Sequence, residues 1–321
     1  MRKLPASLAV LALASVGLVG CSIPAAADCP RPQVVDPDVM ELITIDGQLG
    51  TEPQIDVYLP LSTPETAYQD VVRGDGAAIT DAAQLVALDI TIVSGETGET
   101  LVATAYDGSV DSVFSVERWE ETIPAFDEAL SCATEGSRIA MALAPGGIAE
   151  QAAVSLGIAE SESAVAVVDV RKVYLPAANG SLVFNSGHGM PSVVRAPDGR
   201  PGIIVPDSAA PTEVVVQTLK KGDGAVVDGS APVRVHYTGL TWDQREVFDT
   251  SWDGEPASLT LDGVVPGFAE ALDGATVGSQ ILVVIPPDQG YGDQDQGAIP
   301  GGSTLVFVID VLGLDTLEPA E

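Results

Sequence analysis

Positive charge is what this chain has least of. Lys and Arg together number 14 in 321 residues, against 46 Asp and Glu, for a formal net charge of −32. A surface of that sign repels phosphate backbones and anionic headgroups, so nucleic acid is excluded as a partner and solubility is favoured. The plain reading of the excess acid is a solvated surface. Histidine is scarcer still, with His188 in a Gly-rich stretch and His236 between Val235 and Tyr237. Neither has neighbours that suggest a metal site or a catalytic triad, and no cofactor is expected. Asp288, Asp293 and Asp295 match no EF-hand spacing and read as a solvated loop, a weak cation site being the alternative. Past residue 20 no run is long and apolar enough to cross a bilayer. Cysteine is limited to Cys21, Cys29 and Cys132. What remains is an ordinary apolar content of 46%, enough for two or three domains with proper cores.

The first twenty residues read as a targeting signal. Arg2 and Lys3 open it, and Leu8 to Val19 forms a short apolar run. The run ends in Leu18-Val19-Gly20-Cys21, which resembles a bacterial lipobox. That resemblance implies cleavage before Cys21 and a diacylglycerol on its sulfur, the alternative being an ordinary secretory signal with a chance Cys. Losing Arg2 and Lys3 would take the charge from −32 to −34. Residues 21–40 are Pro- and Ala-rich and read as a tether. The mature chain is then exported and lipid-anchored, to the outer face of the cytoplasmic membrane or to an envelope membrane. In such a compartment Cys29 and Cys132 have one possible pairing, and a disulfide and two free thiols both stay open.

From about residue 41 the chain repeats itself. Thr51 to Gly76 aligns without gaps on Gly199 to Gly224, so that Gly74-Asp75-Gly76 meets Gly222-Asp223-Gly224. Thr122 to Ile139 meets Val264 to Ile281 with ten of eighteen positions identical, Pro124/Pro266, Phe126/Phe268 and Gly136/Gly278 among them. Asp169-Val170 matches Asp310-Val311. A unit of this length is a domain rather than a solenoid repeat. The expected units are 41–178 and 213–316, with a linker and leading strands at 179–212.

Strand signals dominate each unit: Val233 to Thr238, Ser258 to Leu261, Gln280 to Ile285 and Thr304 to Leu312. Leu305, Phe307, Ile309 and Val311 share one face by the period of two. Helix signal appears once per unit, at Pro266 to Asp273, with Pro at a first helical position and Gly274 beyond the end. A helix that short is marginal alone and needs a sheet curved around it. The expected class is α+β, two domains each with a twisted antiparallel sheet half-wrapped on one short helix.

Two runs in the second unit carry chemistry. One is Val233-Arg234-Val235-His236-Tyr237-Thr238-Gly239, continuing to Val247-Phe248-Asp249. The other is Val264-Val265-Pro266-Gly267-Phe268, followed by Gln289-Gly290-Tyr291-Gly292. Over residues 213 to 315 they resemble the FKBP family of peptidyl-prolyl isomerases. The resemblance implies a pocket lined by Tyr237, Phe248, Val264 and Val265. It places Phe268 on the floor, Ile299 and Phe307 on the far wall, Asp249 beside the amide, and Tyr291 as donor to the substrate carbonyl. The family's floor is usually Trp, and another wall aromatic of the family is Ala257 here. Taken singly, each apolar residue is an ordinary core side chain; the set in family order is what carries the reading.

The first unit keeps the frame and loses the pocket. Aligned by sequence, Ile90 stands for Tyr237, Ala103 for Asp249, Leu101 or Val102 for Phe248, Ala149 for Tyr291 and Ala166 for Phe307. No isomerase activity is expected from it. The resemblance thus implies a monomeric isomerase acting on X–Pro bonds of unfolded or nascent exported proteins. The alternative is a non-catalytic peptide-binding chaperone or envelope scaffold using the same pocket.

Overall fold

The computed structural model describes residues 29–31, 36–110 and 112–317. The signal, Cys21 and most of the tether lie outside them. The class is α+β, built mainly from antiparallel strands. Two large sheets dominate, one of six strands and one of seven, with a separate two-stranded hairpin associated with each.

The seven-stranded sheet runs Val247–Thr250, Val233–Thr241, Leu305–Leu314, Gln280–Ile285, Val215–Lys221, Ser181–Leu182, with Ala257–Leu259 also paired to Val233–Thr241. Its central strands are buried on both faces and therefore read as nearly unbroken apolar runs. On one face Ile281, Val283, Ile285, Leu305, Phe307, Ile309 and Val311 form a core with Phe268 and Leu272 of the Pro266–Leu272 helix. On the other, Leu282, Val284, Val306 and Val308 pack beneath the hairpin of Ser192–Arg195 and Pro201–Ile204. Gly267 lets the helix lie close, since a Cβ there would come within 2.5 Å of Ile285.

The six-stranded sheet runs Ala67–Val72, Arg138–Leu143, Ala164–Val173, Leu85–Ser94, Thr100–Ala103, with Val113–Ser115 also on Leu85–Ser94. Its registers reproduce those of the second sheet. Asp89 faces Asp169 as His236 faces Asp310, and both ladders slip by one residue at the same place, after Ala87 and after Arg234. The Gly-Asp-Gly turns match to the side chain. Ser137 Oγ accepts from the amide of Gly74 at 2.9 Å, and Ser279 Oγ from that of Gly222 at 3.0 Å. Thr134 and Thr276 each donate to the carbonyl of the same glycine at 2.7 Å. A Cβ on either glycine would sit 2.0 Å from a carbonyl oxygen, so both positions admit only Gly.

The units differ in their helices. The second has the single α-helix expected. The first has Phe126–Leu130 in that place, with Val116–Thr122 before it and Glu150–Leu156 after. Ser115 caps Val116–Thr122 by accepting from the Arg118 amide, and Gly157 at φ +77 ends Glu150–Leu156.

Cys29 and Cys132 form a disulfide spanning 103 residues. It fastens the N-terminal arm to the first unit, where Arg31 pairs with Asp70 at 2.8 Å and donates to the Ser131 carbonyl. Between the units the chain is stitched down rather than loose. Tyr174 takes its backbone bond from the first sheet, donating to the Leu85 carbonyl, while its hydroxyl donates to Asp315 of the second at 2.8 Å. Ala178 then donates its amide to the buried Asp310 at 2.8 Å, and Ser181–Leu182 adds an edge strand. Among the described residues no helix is long and apolar enough to cross a membrane.

Candidate active site

The site lies on the helix side of the seven-stranded sheet, at the end where the Val247–Thr250 strand crosses. The ladder there pairs Thr238 with Thr250 and Gly239 with Asp249, then skips to Leu240 with Val247. Phe248 is the extra residue. A bulge of this kind re-aims a side chain, so Phe248 and Asp249 both reach one hollow although they are consecutive. Gly239 makes room for this. A Cβ there would stand 2.5 Å from the Phe307 ring and 2.8 Å from that of Phe248.

Four rings converge. Phe307 meets Phe268, Phe248 and Tyr237 edge-on, with centroids 5.1, 5.6 and 6.2 Å away, and Tyr237 meets Phe268 at 6.2 Å. Edge-to-face pairs at these separations are mutually attractive and fix each ring's orientation. They enclose a hollow of about 370 Å³, lined also by Val264, Val265, Leu259, Asp262, Gly263 and Tyr291. Val264 and Val265 enter as the two residues ahead of Pro266, which starts the helix at its first position.

Polar groups stand at the rim. The Tyr237 hydroxyl donates to Asp249 Oδ2 at 2.5 Å. Burial first, then this carboxylate, pushes the phenol pKa upward, so it stays protonated. Tyr291 follows the Pro287–Gln289 turn, is 40% exposed, and has no hydrogen-bond partner for its hydroxyl among the described residues. Behind the rings, Ser251 Oγ accepts the Tyr237 amide at 2.9 Å and lies 2.9 Å from His236 Nδ1. Either the hydroxyl or the Nδ1 nitrogen can be the donor in that second contact. Burial pushes His236 down to about 4, and its ring stacks on Trp252, away from the hollow.

Eight of the nine residues expected from sequence therefore meet: Tyr237, Phe248, Asp249, Val264, Val265, Phe268, Tyr291 and Phe307. Ile299 does not. It is buried in the same cluster as Phe268 and Phe307, its backbone closing a bridge to Gln296, and does not itself line the hollow. Leu259, Asp262 and Gly263 line the hollow and were not expected. Leu259 shares a strand face with Ala257 two residues earlier, so the period of two carried the signal.

The residues at 222–312 match the family model described as FKBP-type peptidyl-prolyl cis-trans isomerase. A probable FK506-binding protein of Corynebacterium glutamicum is 36% identical over 114 residues, which are 35% of this chain and 97% of that protein. The chain belongs to the FKBP-type peptidyl-prolyl cis-trans isomerases. FkpA of Escherichia coli, also an FKBP-type isomerase by name, is 40% identical over 111 residues, 34% of this chain and 41% of FkpA. The match thus spans less than half of that relative. The crystal structure of Escherichia coli FkpA overlays with a TM-score of 0.31 at 33% identity, covering 42% of this chain and 54% of that one.

The first unit has the frame of this FKBP site with different side chains in it. The bulge recurs, with Thr91 opposite Ala103, Ile92 opposite Val102 and Val93 opposite Thr100. That register puts Val102, not Ala103, in the place of Asp249, and Leu101 in the place of the bulged Phe248. Ile92 replaces Gly239 and Ala166 replaces Phe307, one side chain growing as its neighbour shrinks. Ala149 opens the Glu150–Leu156 helix, which occupies the stretch where the second unit has the Tyr291 loop. Ala152, Ala153 and Leu156 of that helix pack onto the first unit's core, to which Phe126 belongs.

Proposed function

We propose that this chain isomerises X–Pro bonds of unfolded or nascent exported proteins, held at the outer face of a membrane by a lipid on Cys21. The observation that carries the catalytic part is one apolar hollow walled by four rings with polar groups at its rim.

Rotation about an imide bond is slow because the C–N bond has partial double-bond character, with a barrier of about 18–20 kcal/mol. Twisting removes that conjugation and its charge separation. A dry apolar hollow that admits a proline ring therefore favours the twisted form over the planar one. Phe268 and Phe307 receive the ring, and Val264 and Val265 hold the flanking chain. Tyr291 donates to the substrate carbonyl, its hydroxyl having no competing partner among the described residues. Asp249, oriented by Tyr237, faces the twisting amide. The first unit acts as a spacer that lifts the working unit from the membrane.

A protease-free peptide isomerisation assay on the full chain tests this. Turnover that falls about tenfold in Tyr291→Phe is expected; a full chain with no turnover on any proline peptide overturns it. The anchor is tested separately, by incorporation of a labelled fatty acid that Cys21→Ser abolishes.

A further inference from the structure

The loops around the hollow carry charge of one sign only. From Glu246 to Ser303, which supplies every lining residue except Tyr237 and Phe307, there are ten Asp and Glu and no Lys, Arg or His. The arginines near this stretch are engaged, Arg200 with Asp253, Arg195 with Gln280 and Arg245 with Asp207. None of them lines the hollow.

Two carboxylates do line it, and they differ. Asp249 is held by Tyr237. Asp262 sits in the Leu261–Gly263 turn, directly before Val264, exposed and without a side-chain hydrogen bond or ion pair among the described residues. A buried carboxylate in that condition would be costly. At a mouth it is an uncommitted charge placed where the residues beside a bound proline must pass. The surrounding acids add a field of the same sign, focused by the apolar walls.

We infer that the hollow selects prolines flanked by a lysine or arginine, and that Asp262 reads the charge. This rests on the isomerase reading and names the substrate class within it. Asp262 is a specificity residue, so its effect belongs in KM rather than kcat.

The test uses the full chain and two peptide series, with Lys, Leu or Glu immediately before or immediately after the proline. In at least one series kcat/KM for Lys exceeds that for Glu by about tenfold at low salt, falling to about twofold in 0.5 M NaCl. Asp262→Asn reduces the ratio by about threefold, and Asp262→Lys reverses it. Each ratio is taken within one protein, so loss of overall activity in a variant cancels. Equilibrium binding of the same peptides, read by fluorescence anisotropy, reports the preference even where turnover is absent, which separates failure of this inference from failure of the isomerase reading. Lys-to-Glu ratios within twofold in both series, or a ratio that Asp262→Asn leaves unchanged, overturn it.

Discussion

Tyr237 and Asp249 sit on neighbouring strands and share a 2.5 Å hydrogen bond, diagonal across the ladder because Asp249 pairs with Gly239. Neither group has its geometry without the other. Tyr237→Phe and Asp249→Asn should each lower kcat/KM by about tenfold, the scale of a lost charge-assisted bond. The double variant should be no worse than the weaker single by more than about twofold, since one bond is removed once. A multiplicative double effect in the peptide assay would mean that the two act separately.

Gly239 is the position on which the ring cluster depends. Gly239→Ala pushes a methyl into Phe248 and Phe307, and overpacking of this kind costs about 2 kcal/mol. Urea unfolding should show that loss in the second unit's transition. Peptide turnover should fall at temperatures where the variant is still folded.

His236 makes the second unit acid-sensitive. Its pKa drops on folding to about 4, so between the ordinary histidine value and that point the unfolded chain holds more protons than the folded one. Stability is full above about pH 6.5 and declines as pH falls toward 4, by about 2 kcal/mol. Asp310 acts in the opposite direction. Burial raises its pKa, so its contribution is lost as pH rises through that raised value. The readout is therefore the difference between wild type and His236→Gln in chemical unfolding at pH 7 and pH 4.5. The variant's slope should be the shallower.

In the first unit Arg138 and Asp169 form a buried ion pair at 2.6 Å, 1% and 0% exposed. Arg138 also donates to the carbonyls of Gly47, Gln48 and Thr51, tying down the leading hairpin. Arg138→Met strands the Asp169 charge and should cost about 3–5 kcal/mol, while Arg138→Met with Asp169→Asn should recover part of it. Isomerase activity at temperatures below the transition should not change in either.

The second unit makes the corresponding clasp the other way round. Gln280 stands in the register place of Arg138, and an arginine from the hairpin, Arg195, donates to it at 2.6 Å. Nothing in the aligned residues announces that exchange, because the partners come from different elements. The same limit governs the rest of what the sequence showed. The duplicated frame was legible because glycines at Gly74 and Gly222 and the apolar strand faces are local requirements. Eight residues that line one hollow were legible because each lies beside a motif that fixes its element. Ala103 was set opposite Asp249 because a bulge inserts a residue without any marker in composition, and the register places Val102 there. Asp262 was missed because an unpaired carboxylate is defined by the absence of neighbours, which only the folded chain reveals.

The connector from Tyr174 to Leu182 constrains any attempt to use the two halves separately. A cut after Val173 deprives the first sheet of Tyr174's bond to Leu85, and a cut after Leu182 deprives Asp310 and the far edge of the second sheet of theirs. The duplicated halves have become mortised together. An evolutionary event that excised the first half would have to rebuild the joint, which gives the chain a structural reason to retain both copies.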